Sequence, residues 1–290
     1  MILVVGASGT LGRVLVGALV AHGEQVRVLT RDRARISTTG VEVVVADLRD
    51  TAAVEQAMNG CEVVVLAAHG FVGQRGISPE TIDRDANIAV IEHAAEAGVD
   101  HVVLVSAYGA APRHPMSLHR AKFAAECALK ESTQTAGAPT WTIVRPTPFL
   151  ETWTAIVGAH VEDRRQAVVF GPGVNLIDFV PVAAAADAIT AAIGEHPRRN
   201  REVDVTGGNC RTFTELAESA VAGSPTPAGI RHIPLGMLRM LALAAKPFAP
   251  AFARQAQAAV VMNTTDMTAP DMTAPDTTAP RAPAPTPAGT

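Results

Sequence analysis

Ile2-Leu3-Val4-Val5-Gly6-Ala7-Ser8-Gly9-Thr10-Leu11-Gly12 opens the chain, and its reading decides the fold. Four aliphatic residues, three of them β-branched, run straight into a glycine, as in a strand buried on both faces of a parallel sheet. Leu11, Leu15, Leu19 and Val20 then recur at helical spacing as far as Gly23. Strand, glycine turn and helix, in that order, raise a G-x-x-G-x-x-G string above chance. Glycines permit the tight turn and let backbone approach a pyrophosphate. The helix N-terminus adds unpaired N–H groups and a favourable dipole.

Working outward, Gln25–Leu29, Val41–Val45, Glu62–Leu66 and His101–Val105 read as further strands, with helices over Asp85–Ala97 and Leu118–Ala136. The second strand ends in Thr30-Arg31-Asp32-Arg33, with Arg35 close behind. An acidic residue there would read an NAD ribose, whereas an arginine fork pairs with a 2′-phosphate, so NADP is favoured over NAD. Asp47 lies past the third strand, placed to accept from an adenine amine, while Asp50-Thr51 reads as a helix cap. Ala67 and Ala68 are small enough at the fourth strand's exit for a ligand to cross the sheet edge. His69 beside them reads more readily as a solvent-facing loop residue than as a catalyst.

Composition excludes several classes. The chain has 290 residues, 48% hydrophobic and 4% aromatic, with a net charge of −4. No clustered basic run supports nucleic acid as the main partner. Cys61, Cys127 and Cys210 have neither metal-ligand nor disulfide spacing, so no metal is expected. The first apolar run is too short for a secretory signal. Arg239, Lys246 and Arg254 interrupt Pro234–Met262 before a membrane span accumulates. The expectation is a cytoplasmic protein without stable membrane insertion. Six of the 20 prolines fall in 263–290, and no aromatic follows Phe252, so that segment is expected to be a disordered tail. It holds a five-residue repeat, Asp266-Met267-Thr268-Ala269-Pro270 and two further copies, of which the first is the one expected to dock.

With Gly6/Gly9/Gly12, Thr30-Arg31, Asp47-Leu48, Ser106, Lys122 with Glu126, and Thr142-Ile143-Val144-Arg145-Pro146 before Phe149, the chain resembles the atypical short-chain dehydrogenase/reductase group, in particular the NmrA-like NAD(P)-binding proteins. Val180-Pro181-Val182 and the helix holding Asp187 extend the resemblance. It implies a Rossmann-type, doubly wound α/β fold with a small C-terminal substrate lobe. The expected divisions are a dinucleotide-binding core over 1–148, a lobe over 149–262 and the tail. It also implies Gly6, Ser8, Gly9, Thr10, Leu11 and Gly12 at the cofactor phosphates and Arg31 at the 2′-phosphate. Asp47 and Leu48 would flank adenine, Ala67 and Ala68 the ribose, and Lys122 the nicotinamide ribose.

The superfamily's Tyr-x-x-x-Lys pair is broken, because Leu118 stands four residues before Lys122. A lysine in an apolar cleft can itself relay a proton, since desolvation disfavours its charge. Lys122, Ser106 and Tyr108, the one tyrosine of the chain, are therefore the catalytic candidates. His119 follows Leu118, and the 100° helical step turns it off the Lys122 face. Tyr108 reads equally as a loop aromatic over the cofactor, and Ser106 as a strand-end cap. Phe149, Leu150, Trp153, Ile156 and Val157 would face the pocket or its lid, although core packing explains them as well. A capped helix is expected from Thr212-Phe213 to Ala222, then a greasy helical pair over 235–245 and 248–262, read as a lid, a homodimer face or an interfacial membrane contact. The preferred function is an NAD(P)H-dependent reductase of a small hydrophobic carbonyl, enone or quinone. The alternative is a non-catalytic NmrA-like redox sensor, and a sugar-nucleotide epimerase ranks third.

Overall fold

The computed structural model describes residues 1–73, 76–132, 137–194 and 199–269. β1 (Ile2–Val5), α1 (Thr10–Ala21), β2 (Val26–Thr30), β3 (Glu42–Val45), α2 (Thr51–Met58), β4 (Val63–Leu66), α3 (Asn87–Ala94), β5 (His101–Val105), α4 (Ser117–Ser132) and β6 (Thr140–Pro146) follow one another, with a π-helical stretch over Glu80–Ala86 leading into α3. Then come α5 (Leu150–Gly158), α6 (Val161–Arg164), β7 (Gln166–Phe170), β8 (Ile177–Asp178), α7 (Val182–Gly194), β9 (Arg201–Val205), β10 (Cys210–Arg211), α8 (Phe213–Ala222), β11 (Gly229–Ile233), α9 (Leu235–Ala245) and α10 (Pro250–Thr264).

Seven parallel strands form the main sheet in the order β3-β2-β1-β4-β5-β6-β9. Successive side chains of a strand point to opposite faces. Leu3 and Val5 accordingly join the core under α2, α3 and α4 with Met58, Ile91 and Leu129. Ile2 and Val4 join the core under α1 and α7 with Leu15, Leu19 and Ile189. A strand buried on both faces has no polar alternation, which is why β1 reads as an unbroken apolar run. The strand order reverses between β1 and β4, and ligands of such sheets bind outside the strand ends at that switch point.

The expected Rossmann-type fold is present, with one departure in the chain path. The lobe is not the continuous 149–262 segment. α7 covers the sheet and β9 pairs with β6, Thr142 opposite Arg201 through Pro146 opposite Val205, so α7 and β9 belong to the core. The lobe proper is built from the segments before and after, around Phe213, Val157, Val169, Ile177 and Met262.

The boundary drawn at 263 also moves. α10 runs to Thr264, and Met267 of the first repeat copy bridges to Ile177, its carbonyl accepting from the Asp178 amide at 3.0 Å. An Asn175 side chain donating to Met262 and Thr265 carbonyls fixes this turn. The remaining copies, and the expected end of the α4 helix at Ala136, lie outside the described residues.

Candidate active site

Gly6 has φ +91°, and a Cβ there would meet the Ala68 amide at 2.5 Å. The β1 and β4 exits therefore touch, backbone to backbone, at the switch point. A Cβ on Gly12 would meet the Gly6 carbonyl at 2.2 Å, so helix α1 presses onto the turn. Gly9 is the N-cap of α1 and brings no side chain to its first amides, and no carboxylate occupies the first turn. The turn is thus shaped for close backbone approach and leaves α1 amides and a positive helix end for an anion. These features fit the phosphates of a dinucleotide. Ser8 contributes its carbonyl to Arg13 at 2.8 Å, and Leu11 is buried in the core.

At the adenosine end, Asp32 turns its carboxylate onto the Ala34 amide at 2.9 Å and caps the 3-10 turn Arg33–Arg35. Arg31 stays exposed beside it. Asp47 does not stand free as an acceptor. Arg49 grips it with Nε at 2.9 Å and Nη2 at 2.7 Å, while the Arg49 amide donates to it as well. The Arg49 hydrogen bonds lower the Asp47 pKa to about 2, with the charge of Arg31 adding to the effect. Leu48 is buried in the core, so its side chain does not face this site. Asp50 caps α2 as expected, accepting from Ala53 at 3.2 Å.

Near the β4 exit lies a buried ion pair that the sequence reading missed. Lys122 Nζ lies 2.8 Å from Asp83 Oδ1 and donates to the Ala68 carbonyl at 3.4 Å. The second Asp83 oxygen accepts from the Gly70 amide at 2.8 Å, and the Asp83 carbonyl accepts from Asn87. Asp83 belongs to the π-helical stretch, an irregularity that often marks a functional site. Its signal in the sequence was poor, because Thr81-Ile82-Asp83-Arg84-Asp85 reads as a solvated charged helix face. Arg254 of α10 was missed too. It donates to the carbonyls of Phe71 at 3.2 Å and Gly73 at 3.0 Å, clamping the loop that follows His69 and Gly70. His69 is exposed, although the protein mass around it lowers its pKa, with Asp83 opposing and Lys122 reinforcing.

Ser106 and Tyr108 follow the end of β5. The Ser106 hydroxyl, buried, donates to Glu126, which also pairs with Arg145. Arg145 reaches on to Glu202 of β9. The Ser106 hydroxyl thus joins a buried charge network. Tyr108 is half-buried, and burial, then the charges of Asp204, Asp178 and Asp266, raise its pKa. The phenol therefore keeps its proton at neutral pH. His119, expected off the Lys122 face, is buried on the same face of α4 as Lys122, three residues along, and stacks on His114 with ring centroids 3.9 Å apart. Burial drives its pKa down to about 3, so it is neutral.

In the lobe, Val157 is wholly buried and Trp153 packs on Phe213 at 5.2 Å, while Ile156 is exposed. Val157, Leu150 and Trp153 thus pack in the lobe core, and Ile156 does not. Among the described residues no group of three or more His, Cys, Asp or Glu could hold a metal ion.

Residues 6–169 match the NAD(P)H-binding family. The chain is 29% identical over 231 residues to an NAD(P)H azoreductase of Xenophilus azovorans, covering 78% of this chain and 75% of that protein. It is 31% identical over 263 residues to a (4-alkanoyl-5-oxo-2,5-dihydrofuran-3-yl)methyl phosphate reductase of Streptomyces griseus, covering 89% and 86%. A solved triphenylmethane reductase of Citrobacter sp., complexed with NADP(H), superposes with a TM-score of 0.72 at 19% identity, covering 92% of this chain and 90% of that one. A glycine turn with no room for a side chain, a helix end without a cap and a family match through β7 lead to one assignment: the chain belongs to the NAD(P)H-binding family of atypical, NmrA-like short-chain dehydrogenase/reductases.

Proposed function

We propose that this NAD(P)H-dependent reductase takes NADPH and reduces a small hydrophobic carbonyl, enone or quinone, with Lys122 as the organising group. The cofactor, when bound, supplies the hydride. Gly6, Ser8, Gly9, Thr10, Leu11 and Gly12 hold its phosphates through backbone amides, Ala67 and Ala68 give passage to its ribose, and Arg31 pairs with a 2′-phosphate. Supporting the last assignment, the Asp32 carboxylate is spent on capping and is turned from the ribose. Asp47, gripped by Arg49, and Leu48 flank adenine, Leu48 through its backbone.

The observation that carries the reading is the buried Lys122 ammonium, lodged between Asp83 and the Ala68 carbonyl at the switch point. In a site of low polarity, a fixed cation stabilises the negative charge that develops on a reduced acceptor far better than in water. Lys122 donates to the substrate oxygen, and Asp83 positions it. Tyr108 keeps its hydroxyl proton and donates from the mouth of the site. The sensor alternative rests on the missing tyrosine alone, and the reductase names of the two relatives favour catalysis.

The test is NADPH oxidation against a panel of quinones, enones and carbonyls, with wild type and Lys122→Ala side by side. Turnover that collapses in the variant while NADPH still binds supports the reading. Absence of turnover on every acceptor, with NADPH binding intact, favours the sensor.

A further inference from the structure

Helix α9 has two apolar faces, and among the described residues only one of them is packed against the fold. Leu238 and Ala242 pack inward on Ala256, Ala259 and Ile233. On the other side Met237, Met240, Leu241 and Ala244 recur at i, i+3, i+4 and i+7, with Leu243 beside them. All are exposed, Met240 by 64% and Leu243 by 76%. The patch continues past the helix end into Phe248, 87% exposed, and Phe252 of α10. A contiguous apolar surface of this kind marks an interaction site.

Its charge identifies the partner. No Asp or Glu occurs between Glu218 and Asp266, in a chain whose net charge is −4. Arg239 and Lys246, seven residues apart, fall on one line along the flank of the apolar face, and both are exposed. Arg231 of the preceding strand is exposed as well. A second copy of the chain is a poor occupant. A two-fold contact would set Arg239 and Lys246 against their own kind with no carboxylate on the element to answer them.

We infer that the α9–α10 hairpin docks on an anionic lipid surface, lying in the plane of the interface. α9 has 11 residues, and among the described residues no helix is long and apolar enough to cross a membrane. Met240, Leu243 and Phe248 enter the boundary between headgroups and acyl chains, while Arg239 and Lys246 reach the headgroup phosphates. Through Arg254 the same hairpin is bonded to the loop beside the Lys122–Asp83 pair, so docking fixes which side of the cleft faces the lipid.

The experiment is co-sedimentation of the full chain with vesicles of phosphatidylcholine alone and of phosphatidylcholine mixed with phosphatidylglycerol. Wild type is expected to bind the mixed vesicles and to release with salt. The Met240→Glu/Leu243→Glu double variant should bind at least about tenfold more weakly. Arg239→Gln/Lys246→Gln should lose most of the preference for the anionic vesicles. NADPH affinity unchanged in each variant certifies the fold. Three results overturn the inference: no binding to mixed vesicles, binding unaffected by the glutamates, or a dimer in light scattering that the glutamates split while vesicles are ignored. The last would make a second copy the occupant.

Discussion

Lys122 Nζ and Asp83 Oδ1 stand 2.8 Å apart, with the lysine side chain 5% exposed and the aspartate not at all. Neither partner can lose the other cheaply. Removing one side of a buried pair leaves an uncompensated charge, at a cost of about 3–5 kcal/mol. Lys122→Ala and Asp83→Ala are each expected to lower stability on that scale, and the double variant by much less than the sum. A urea double-mutant cycle reads the coupling, and additive losses would show that the pair contributes nothing.

Gly12→Ala should damage both the fold and the cofactor site. The new methyl would sit 2.2 Å from the Gly6 carbonyl and 2.6 Å from Ala7 Cα, both of them backbone. Helix α1 must back away from the turn, and its N-terminal amides with it. Titration with NADPH should show weakening of at least about tenfold, and thermal melting a lower Tm. Gly17→Ala, in the same helix with open space around its Cβ position, is the control and should be neutral or stabilising.

Arg31→Ala is expected to weaken NADP binding by about 10–100-fold and to leave NAD binding nearly unchanged, because a charge-assisted pair to one phosphate is worth about 1.5–3 kcal/mol. Calorimetric titration with both cofactors measures the ratio. Equal affinities for NADP before and after the change would remove Arg31 from the site.

Stability should fall as the medium turns acid below about pH 6.5. His119 and His101 are buried, and burial holds their pKa values down to about 3 and about 4, with Arg199 further lowering the second. Between those values and the ordinary 6.5 the unfolded chain binds protons that the folded chain refuses. The stability these rings contribute is complete above 6.5 and drains away as pH drops toward 3, by at most about 1.4 kcal/mol per pH unit for each ring. Denaturation midpoints between pH 4 and 7, compared with His119→Asn, should show a shallower slope in the variant.

What the sequence disclosed follows from the range of the interactions involved. β1, the glycine turn and α1 are local, and their residues state the geometry directly. So do the Asp50 cap and the Thr212–Glu215 capping box. β9 was absorbed into the lobe because Arg201-Glu202-Val203-Asp204-Val205 alternates charge with valine at the sheet edge, unlike the solid apolar strands before it. Ser106 looked free because its partner Glu126 is 20 residues away and meets it only once α4 crosses the sheet. Asp47 looked like an adenine acceptor because nothing in Asp47-Leu48-Arg49 announces that the arginine folds back. Lys122 was legible and Asp83 was not, since one carries a family spacing and the other only a contact across 39 positions of chain.

The return of the chain to the sheet has a mechanical consequence. The backbone crosses between sheet and lobe three times: after Pro146, before Val182 and after Val205. A domain hung from one linker can swing like a gate, but a body moored at three points can only tilt about the line through two of them while the third stretches. Three moorings therefore restrain the lobe against the sheet more than a single linker would.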